Sequence, residues 1–399
     1  MRVFGIICEY NPFHCGHKWQ LDELRRRNGT EECGIVCAMS GEFVQRGDFA
    51  IERAHARAEA AVRGGADLVL ELPLPWSIAS AEGFARGGVG VLNATGIVDT
   101  LVFGSECGET EKLRRAAEAL LRKEFSERLH DELSKGLSFA AARESAARAL
   151  IGEDAGVLAE PNDILGVEYC KALLQSGSTI TPLAMERRAV GHNEGAAGGF
   201  ASASYIRALL AGGEDASAFL TAESAAIYAR ECAAGRAPVT MKGAERAMLS
   251  RLRMLEEADF ARYDSGGEGL YRRFYAAVRT AASVDELLGT VKTKRYAYAR
   301  LRRMLLAAYL DIAAAELPQE IPYLRVLACN ERGRMLLRAI KNEGSAPVLT
   351  KSADVRSLSE EAQRLFALSA RACDQYVLAY PELRAAKGGG AWTQGPVIV

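Results

Sequence analysis

The sequence lacks any apolar run approaching the about eighteen consecutive residues that a membrane-spanning helix requires. Its first twenty residues carry Glu9, His14 and His17 where a secretory signal would be purely apolar, so a cytoplasmic protein without membrane contact is expected. Paired cysteine motifs are missing as well. The nine cysteines (Cys8, Cys15, Cys33, Cys37, Cys107, Cys170, Cys232, Cys329 and Cys373) are odd in number and show no repeating CxxC spacing. That argues against both a disulfide framework and a zinc site, and they read as reduced, mostly buried thiols. There is no internal repeat, and almost no net charge, at −1.

What is present is an ordinary globular composition: 399 residues, 49% hydrophobic and 25% charged, a length that suggests two domains. The near-neutral total hides a local asymmetry. Val291 to Arg303 holds six basic residues (Lys292, Lys294, Arg295, Arg300, Arg302 and Arg303) and no acid, so nucleic acid is not excluded by global charge.

Along the first hundred residues short apolar runs alternate with helical patterns. Strands are expected at Val3–Cys8, Glu32–Ala38, Asp67–Leu72 and Thr100–Phe103, with helices at Gly16–Arg27, Ile51–Arg63 and Ala79–Asn93. Such alternation predicts a doubly wound α/β domain with a parallel sheet. Thr110–Leu150 has helical spacing, Ile164–Gln175 follows Pro161 as a further helix, and Thr179–Ala184 is a candidate last strand of the same sheet. Beyond Gly212 and Gly213, the expected boundary, strand signals fade. Ala222–Ala234, Met241–Glu257, Leu270–Ala282 and Tyr296–Ala315 carry apolar residues at three and four spacing, predicting a mostly α-helical C-terminal domain. Lys387–Val399, with three consecutive glycines, reads as a loose tail.

The most informative stretch is Gly5 to Lys18, which places HxGH (His14, Gly16, His17) after the first strand and at the start of the first helix. Helix N-termini present unpaired N–H groups and a positive dipole end, so phosphate oxygens are favoured there, and Gly16 permits close approach to the backbone. Two imidazoles add directional donors, which phosphoryl-transfer chemistry needs more than it needs a covalent nucleophile. An isolated HxGH also fits a pair of ordinary loop histidines; the strand-turn-helix setting favours function.

A second element, Ser202-Ala203-Ser204-Tyr205-Ile206-Arg207, puts hydroxyl residues before a helix and an arginine within its first turns. Capping that helix is the simplest role for either serine.

With Ser40-Gly41-Glu42-Phe43-Val44-Gln45-Arg46-Gly47, Ala66-Asp67-Leu68-Val69-Leu70-Glu71-Leu72-Pro73, Phe103-Gly104-Ser105-Glu106 and Pro161-Asn162-Asp163-Ile164-Leu165-Gly166, these segments make the chain resemble the tRNA(Met) cytidine acetate ligase family over most of its length. The resemblance implies a Rossmann-like nucleotidyltransferase domain (1–212) for ATP and acetate, followed by a helical tRNA-binding domain (213–399). It implies that acetate and ATP give acetyl-adenylate, whose acetyl group passes to the N4 amine of the wobble cytidine of elongator tRNA(Met). In HxGH nucleotidyltransferases a Ser/Thr-rich turn with a basic residue closes over the β- and γ-phosphates, a role that would fall to Ser204 and Arg207.

Carried over by motif, His14 and His17 are the candidate catalytic residues. The ATP-binding stretch is Ile7-Cys8-Glu9-Tyr10-Asn11-Pro12-Phe13-His14-Cys15-Gly16-His17-Lys18-Trp19-Gln20, completed by Gly104, Asn162, Arg187 and Arg188. Taken singly, Gly104 also fits a tight turn, Asn162 a helix cap, and Arg187-Arg188 a solvated basic pair. Cys15 stands where the family pattern has Asn; an acyl-adenylate needs no cysteine, so it reads as a small thiol in a tight turn. Mg²⁺ is expected on the triphosphate, without evident protein ligands.

For RNA the candidates are Lys292, Lys294, Arg295, Tyr296 and Arg300, where basic residues interleave with tyrosines, and Thr350 and Lys351 in an expected loop. A solvated helix face paired with acids fits the same run. Two other functions stay open on the residues alone: an adenylyltransferase acting on a small phosphorylated metabolite, and a non-catalytic RNA-binding protein that keeps a nucleotide as a structural ligand. No protein partner is evident.

Overall fold

The computed structural model describes residues 1–29, 32–187, 196–197, 200–264, 266, 269–313 and 318–399. The parallel strands expected at the N-terminus form as β1 (Arg2–Cys8), β2 (Cys33–Ser40), β3 (Leu68–Leu72) and β4 (Thr100–Ser105), and the candidate last strand forms as β5 (Thr181–Glu186). They pair in the order β3-β2-β1-β4-β5, all parallel. Both faces of this sheet are covered, which is why its strands read as nearly continuous apolar runs.

The period of two divides those runs between two cores. Val3, Ile7, Val36, Ala38, Leu68, Leu70, Leu101 and Phe103 face α3 (Ala81–Ala94), α4 (Thr110–Leu120) and α5 (Pro161–Gln175), labelled after α1 (Cys15–Asn28) and α2 (Ala54–Arg63). Phe4, Ile6, Ile35, Cys37, Met39, Val69 and Val102 face α1 and α2 instead. The Thr110–Leu150 region resolves into α4 and two helices, Lys123–Ser134 and Phe139–Ile151. A short helix, α6 (Ala203–Gly212), follows β5.

After Gly213 the chain is mostly helical, as expected: Ala222–Ala233, Glu245–Arg253, Glu257–Tyr263, Leu270–Thr280, Val284–Val291, α7 (Tyr298–Leu310), Glu331–Glu343 and α8 (Glu360–Tyr376). Yet this half also returns to the sheet. β6 (Leu324–Cys329) lies antiparallel against β3, and β7 (Val348–Leu349) and β8 (Val397–Ile398) each pair with β6. The division at Gly212 and Gly213 therefore separates neither the sheet nor the core, because one apolar cluster runs from β3 and α3 into the later helices through Met248, Leu305 and Tyr376.

The expected loose tail is a correction. Gly390–Thr393 is helical, the Arg325 guanidinium donates to the Ala391 carbonyl at 3.2 Å, and the Trp392 ring meets Phe366 edge-on at 4.7 Å. Its Trp392 and Val397 find apolar partners that its three glycines conceal. Among the described residues no helix is long and apolar enough to cross a membrane.

Candidate active site

In a parallel α/β sheet, ligands bind beyond the carboxyl ends of the strands where the winding direction reverses. Here that point lies between β1 and β4, because the chain winds outward through β2 and β3 on one side and β5 on the other. The HxGH turn leaves β1 at that point.

His14 is the N-cap of α1, in extended conformation, and its Nδ1 accepts from the Gly16 N–H at 3.0 Å. His17 Nδ1 accepts in return from the His14 N–H at 3.3 Å. The two rings thereby stack, with centroids 3.7 Å apart and 20° between planes. Gly16 is required by the rings as well as by a ligand: a Cβ there would lie 2.9 Å from His14 Cε1.

Burial pulls the His14 pKa down to about 3, with the Arg187 and Arg207 charges adding to it. Burial, then His14, then Arg187 lower His17 well below the ordinary histidine value. His17 is half-buried and is neutral for the same reason. With both Nδ1 atoms accepting, each neutral ring carries its proton on Nε2, so the site offers two N–H donors side by side over a helix N-terminus.

Three residues outside the motif hold this arrangement. Tyr10 is 2% exposed and adopts φ +44, a region bulky residues rarely occupy, which packs its ring 5.0 Å from Phe13 and 4.8 Å from His17. Arg57, fully buried in α2, donates to the carbonyls of Glu9, Ser40, Gly41 and Glu52, tying together the ends of β1 and β2. Glu106 accepts from the N–H groups of Asn162 at 3.1 Å and Asp163 at 2.9 Å, capping α5, while Asp163 accepts from the Ser105 hydroxyl and the Glu106 N–H. The only trace of Arg57 in the sequence is an arginine in an alanine-rich helix; Glu106 and Asp163 belong to motif segments but reveal their pairing only in space.

The sequence candidates divide accordingly. Gly16 and His17 are half-buried and His14 is 9% exposed, whereas Ile7, Tyr10, Asn11, Pro12 and Phe13 are buried behind them. Asn11 Oδ1 accepts from the Ile51 N–H at 2.8 Å. Glu9 Oε1 accepts from the Gln45 N–H at 2.8 Å, Lys18 pairs with Asp22, and Trp19 packs part-buried under the α1 face of the sheet. Cys8, Cys15 and Gln20 are half-buried, and burial raises the thiol pKa of Cys15 and of Cys8, so neither is a ready thiolate.

Gly104, in β4, lies against Arg187, where a Cβ would stand 3.3 Å from its Cγ. Arg187 donates to Asn162 Oδ1 at 3.2 Å, and Glu106 holds the Asn162 amide from the other side. Arg188 lies outside the described residues. Ser202 caps α6 by accepting from the Tyr205 N–H, while Ser204 receives Arg207 Nη2 at 3.1 Å as its Nη1 donates to the Asn11 carbonyl at 2.8 Å. Arg207 is thus pinned beside the HxGH turn, its pKa lowered first by burial.

The basic segment forms the turn before α7 and its first turns. Lys294, Arg295 and Tyr298 are exposed, Tyr298 at 50%. Tyr296, expected at the surface, is 5% exposed, and the Lys292 ammonium is tied to the carbonyls of Thr293 and Tyr296. The Arg300 guanidinium lies over the Tyr296 ring at 5.1 Å and 3.7 Å from Asp264. Lys351 is exposed and Thr350 half-buried in the loop after β7.

Known proteins resemble this chain over its whole length. Residues 1–389 match the model of the HIGH Nucleotidyl Transferase family. A tRNA(Met) cytidine acetate ligase of Acetivibrio thermocellus is 36% identical, with 100% of each chain covered. The chain belongs to the tRNA(Met) cytidine acetate ligase family. Another member, from Fervidobacterium nodosum, is 38% identical over 92% of this chain and 88% of its own. A crystal structure of Thermotoga maritima TmcAL bound with alpha-thio ATP superposes with a TM-score of 0.93 at 32% identity, covering 100% of this chain and 99% of that one. The ligase family's fold, a Rossmann-like nucleotidyltransferase sheet with a helical C-terminal region, is therefore the fold of this enzyme.

Proposed function

We propose that the protein activates acetate with ATP as acetyl-adenylate and transfers the acetyl group to the N4 amine of the wobble cytidine of elongator tRNA(Met). The observation that carries the reading is the stacked pair of neutral imidazoles, His14 and His17, with both Nε2–H groups at the α1 N-terminus and Arg187 and Arg207 alongside. The names of the relatives and the bound ATP analogue of the T. maritima protein support it.

In the first step an acetate oxygen bonds to the ATP α-phosphorus as the bond to the β-phosphate oxygen breaks, and pyrophosphate leaves with the electron pair. Charge builds on the phosphate oxygens, and fixed N–H donors at a dry helix end stabilise it without reorganising. Arg207, held by Ser204 and Asn11, and Arg187, held by Asn162, supply the flanking positive charge. In the second step the cytidine amine bonds to the acyl carbon, AMP departs with its electron pair, and the amine gives up a proton. Mg²⁺ would accompany the triphosphate and neutralise its charge, held by phosphate oxygens and water.

ATP–pyrophosphate exchange with and without acetate tests this reading. Exchange that requires acetate and disappears in His14→Ala and His17→Ala supports it. Absence of exchange in the unmutated protein with acetate or any other small acid sinks it.

A further inference from the structure

The segment Ser40–Gly47 has no role in the chemistry above, yet the structure gives it contacts on two sides. It forms an antiparallel hairpin, Phe43–Val44 against Asp48–Phe49, projecting beyond the end of β2. One side of the hairpin is joined to the nucleotide loop. The Gln45 N–H donates to Glu9 Oε1 at 2.8 Å, and just past the hairpin the Ile51 N–H donates to Asn11 Oδ1 at 2.8 Å. Asn11 is the same residue whose carbonyl receives Arg207.

The other side is joined to the basic helix α7. Gly47 has φ +74 and meets that helix backbone to backbone, so that a Cβ would lie 2.4 Å from Arg303 N and 2.6 Å from Arg302 C. Asp48 pairs with Arg302 at 2.9 Å. Phe49 packs near Tyr309 of α7 at 6.4 Å and stacks on Tyr376 of α8 at 5.9 Å, while the Tyr376 hydroxyl donates to the Ala50 carbonyl at 2.9 Å. Two backbones in van der Waals contact, reinforced by an ion pair and aromatic rings, transmit position with little slack.

We propose that this hairpin is a positioning element, with Gly47 and Asp48 as its positioning residues, that sets α7 and any RNA it carries at a fixed distance from the nucleotide loop. The proposal rests on the ligase reading, because it assigns the hairpin to the second half-reaction alone. Acetyl-adenylate forms at the HxGH turn, with which neither Gly47 nor Asp48 makes a hydrogen bond or ion pair among the described residues; Asp48 acts on Arg207 only through space. In this reading the base comes to the acyl carbon from the α7 side, where Lys294, Arg295 and Tyr298 are exposed, and a misplacement of about 1 Å costs such a step on the order of 10²-fold.

The experiment measures both half-reactions on the full-length protein: acetate-dependent ATP–pyrophosphate exchange, and acetylation of tRNA(Met) under single turnover, for Gly47→Ala and Asp48→Asn. Gly47→Ala, which must displace α7, is expected to keep exchange within about two-fold and to lose acetyl transfer by on the order of 10²-fold. Asp48→Asn is nearly isosteric, and its expected transfer loss is several-fold; because the Asp48 charge also acts on Arg207 through space, exchange is expected to change by less than transfer does. Equal losses in both half-reactions would overturn the proposal, since a hairpin that merely held the fold or the nucleotide would affect both. Unchanged transfer in both variants would overturn it too. Failure of the unmutated protein to show exchange would instead bring down the ligase reading, an outcome separate from any difference among variants.

Discussion

The imidazoles of His14 and His17 lie parallel at 3.7 Å and occupy each other's backbone: each Nδ1 accepts an N–H from the turn the other helps to shape. The rings cap the helix through Nδ1 and keep Nε2 free of that role. Cap and donor are therefore separable by substitution.

His14→Asn retains an acceptor suited to the N-cap position and removes the distant Nε2–H donor. Exchange is expected to fall by on the order of 10²-fold while the melting temperature stays near that of the unmutated protein. An equal loss of stability would mean that His14 serves the helix alone.

The depressed pKa of His14 has a definite sign in stability. Its folded value of about 3 lies below the unfolded 6.5, so the unfolded chain binds the extra proton first. The contribution is complete above about pH 6.5 and is lost as pH falls toward 3, at up to about 1.4 kcal/mol per pH unit. Denaturant unfolding at pH 7 and pH 5 should show a shallower acid loss in His14→Asn; identical slopes would count against a neutral buried ring.

Arg57→Met leaves four loop carbonyls without their buried donor. The expected destabilisation is about 3 kcal/mol or more, read by urea denaturation, with the end of β2 losing amide-exchange protection first. A cost under about 1 kcal/mol would show that water replaces the guanidinium.

Glu106→Gln keeps the shape of the α5 cap and removes its charge. Stability should fall by about 1 kcal/mol. The KM for ATP should rise, because Asn162 loses its fixed orientation toward Arg187. An unchanged KM would mean that Asn162 does not set the arginine.

Tyr296 and Tyr298 should respond in opposite ways. Tyr296→Ala opens a buried site and is expected to cost about 3 kcal/mol of stability, while Tyr298→Ala removes an exposed ring and should weaken tRNA binding at unchanged melting temperature. A filter-binding comparison of the two variants decides the assignment.

The parallel strands were legible because β1 to β4 are nearly continuous apolar runs separated by helices of regular spacing, and β5 followed the same rule. Leu324–Cys329 was not, since six mainly apolar residues fit a buried strand or a helical turn equally well without a neighbour to pair with. Val397–Ile398 was hidden behind glycines that usually mark a loose end. At the site, HxGH announced the donors, while the supports stayed invisible. Tyr10, Arg57 and Glu106 act through partners 3 to 57 positions away, and local periodicity carries no record of such pairs.

The sequence by itself determined that an apolar strand leads into two histidines at a helix start, that the first five strands pair in parallel, and that basic residues cluster late in the chain. Those are properties of neighbouring residues and their spacing. Only the tertiary structure decided that Tyr296 turns inward, that the final residues complete the sheet, and that the Phe43–Phe49 hairpin touches both Glu9 and Arg302. Each of these depends on which surfaces meet once the chain has folded, and burial, backbone contact and ion pairing between distant segments exist only after they meet.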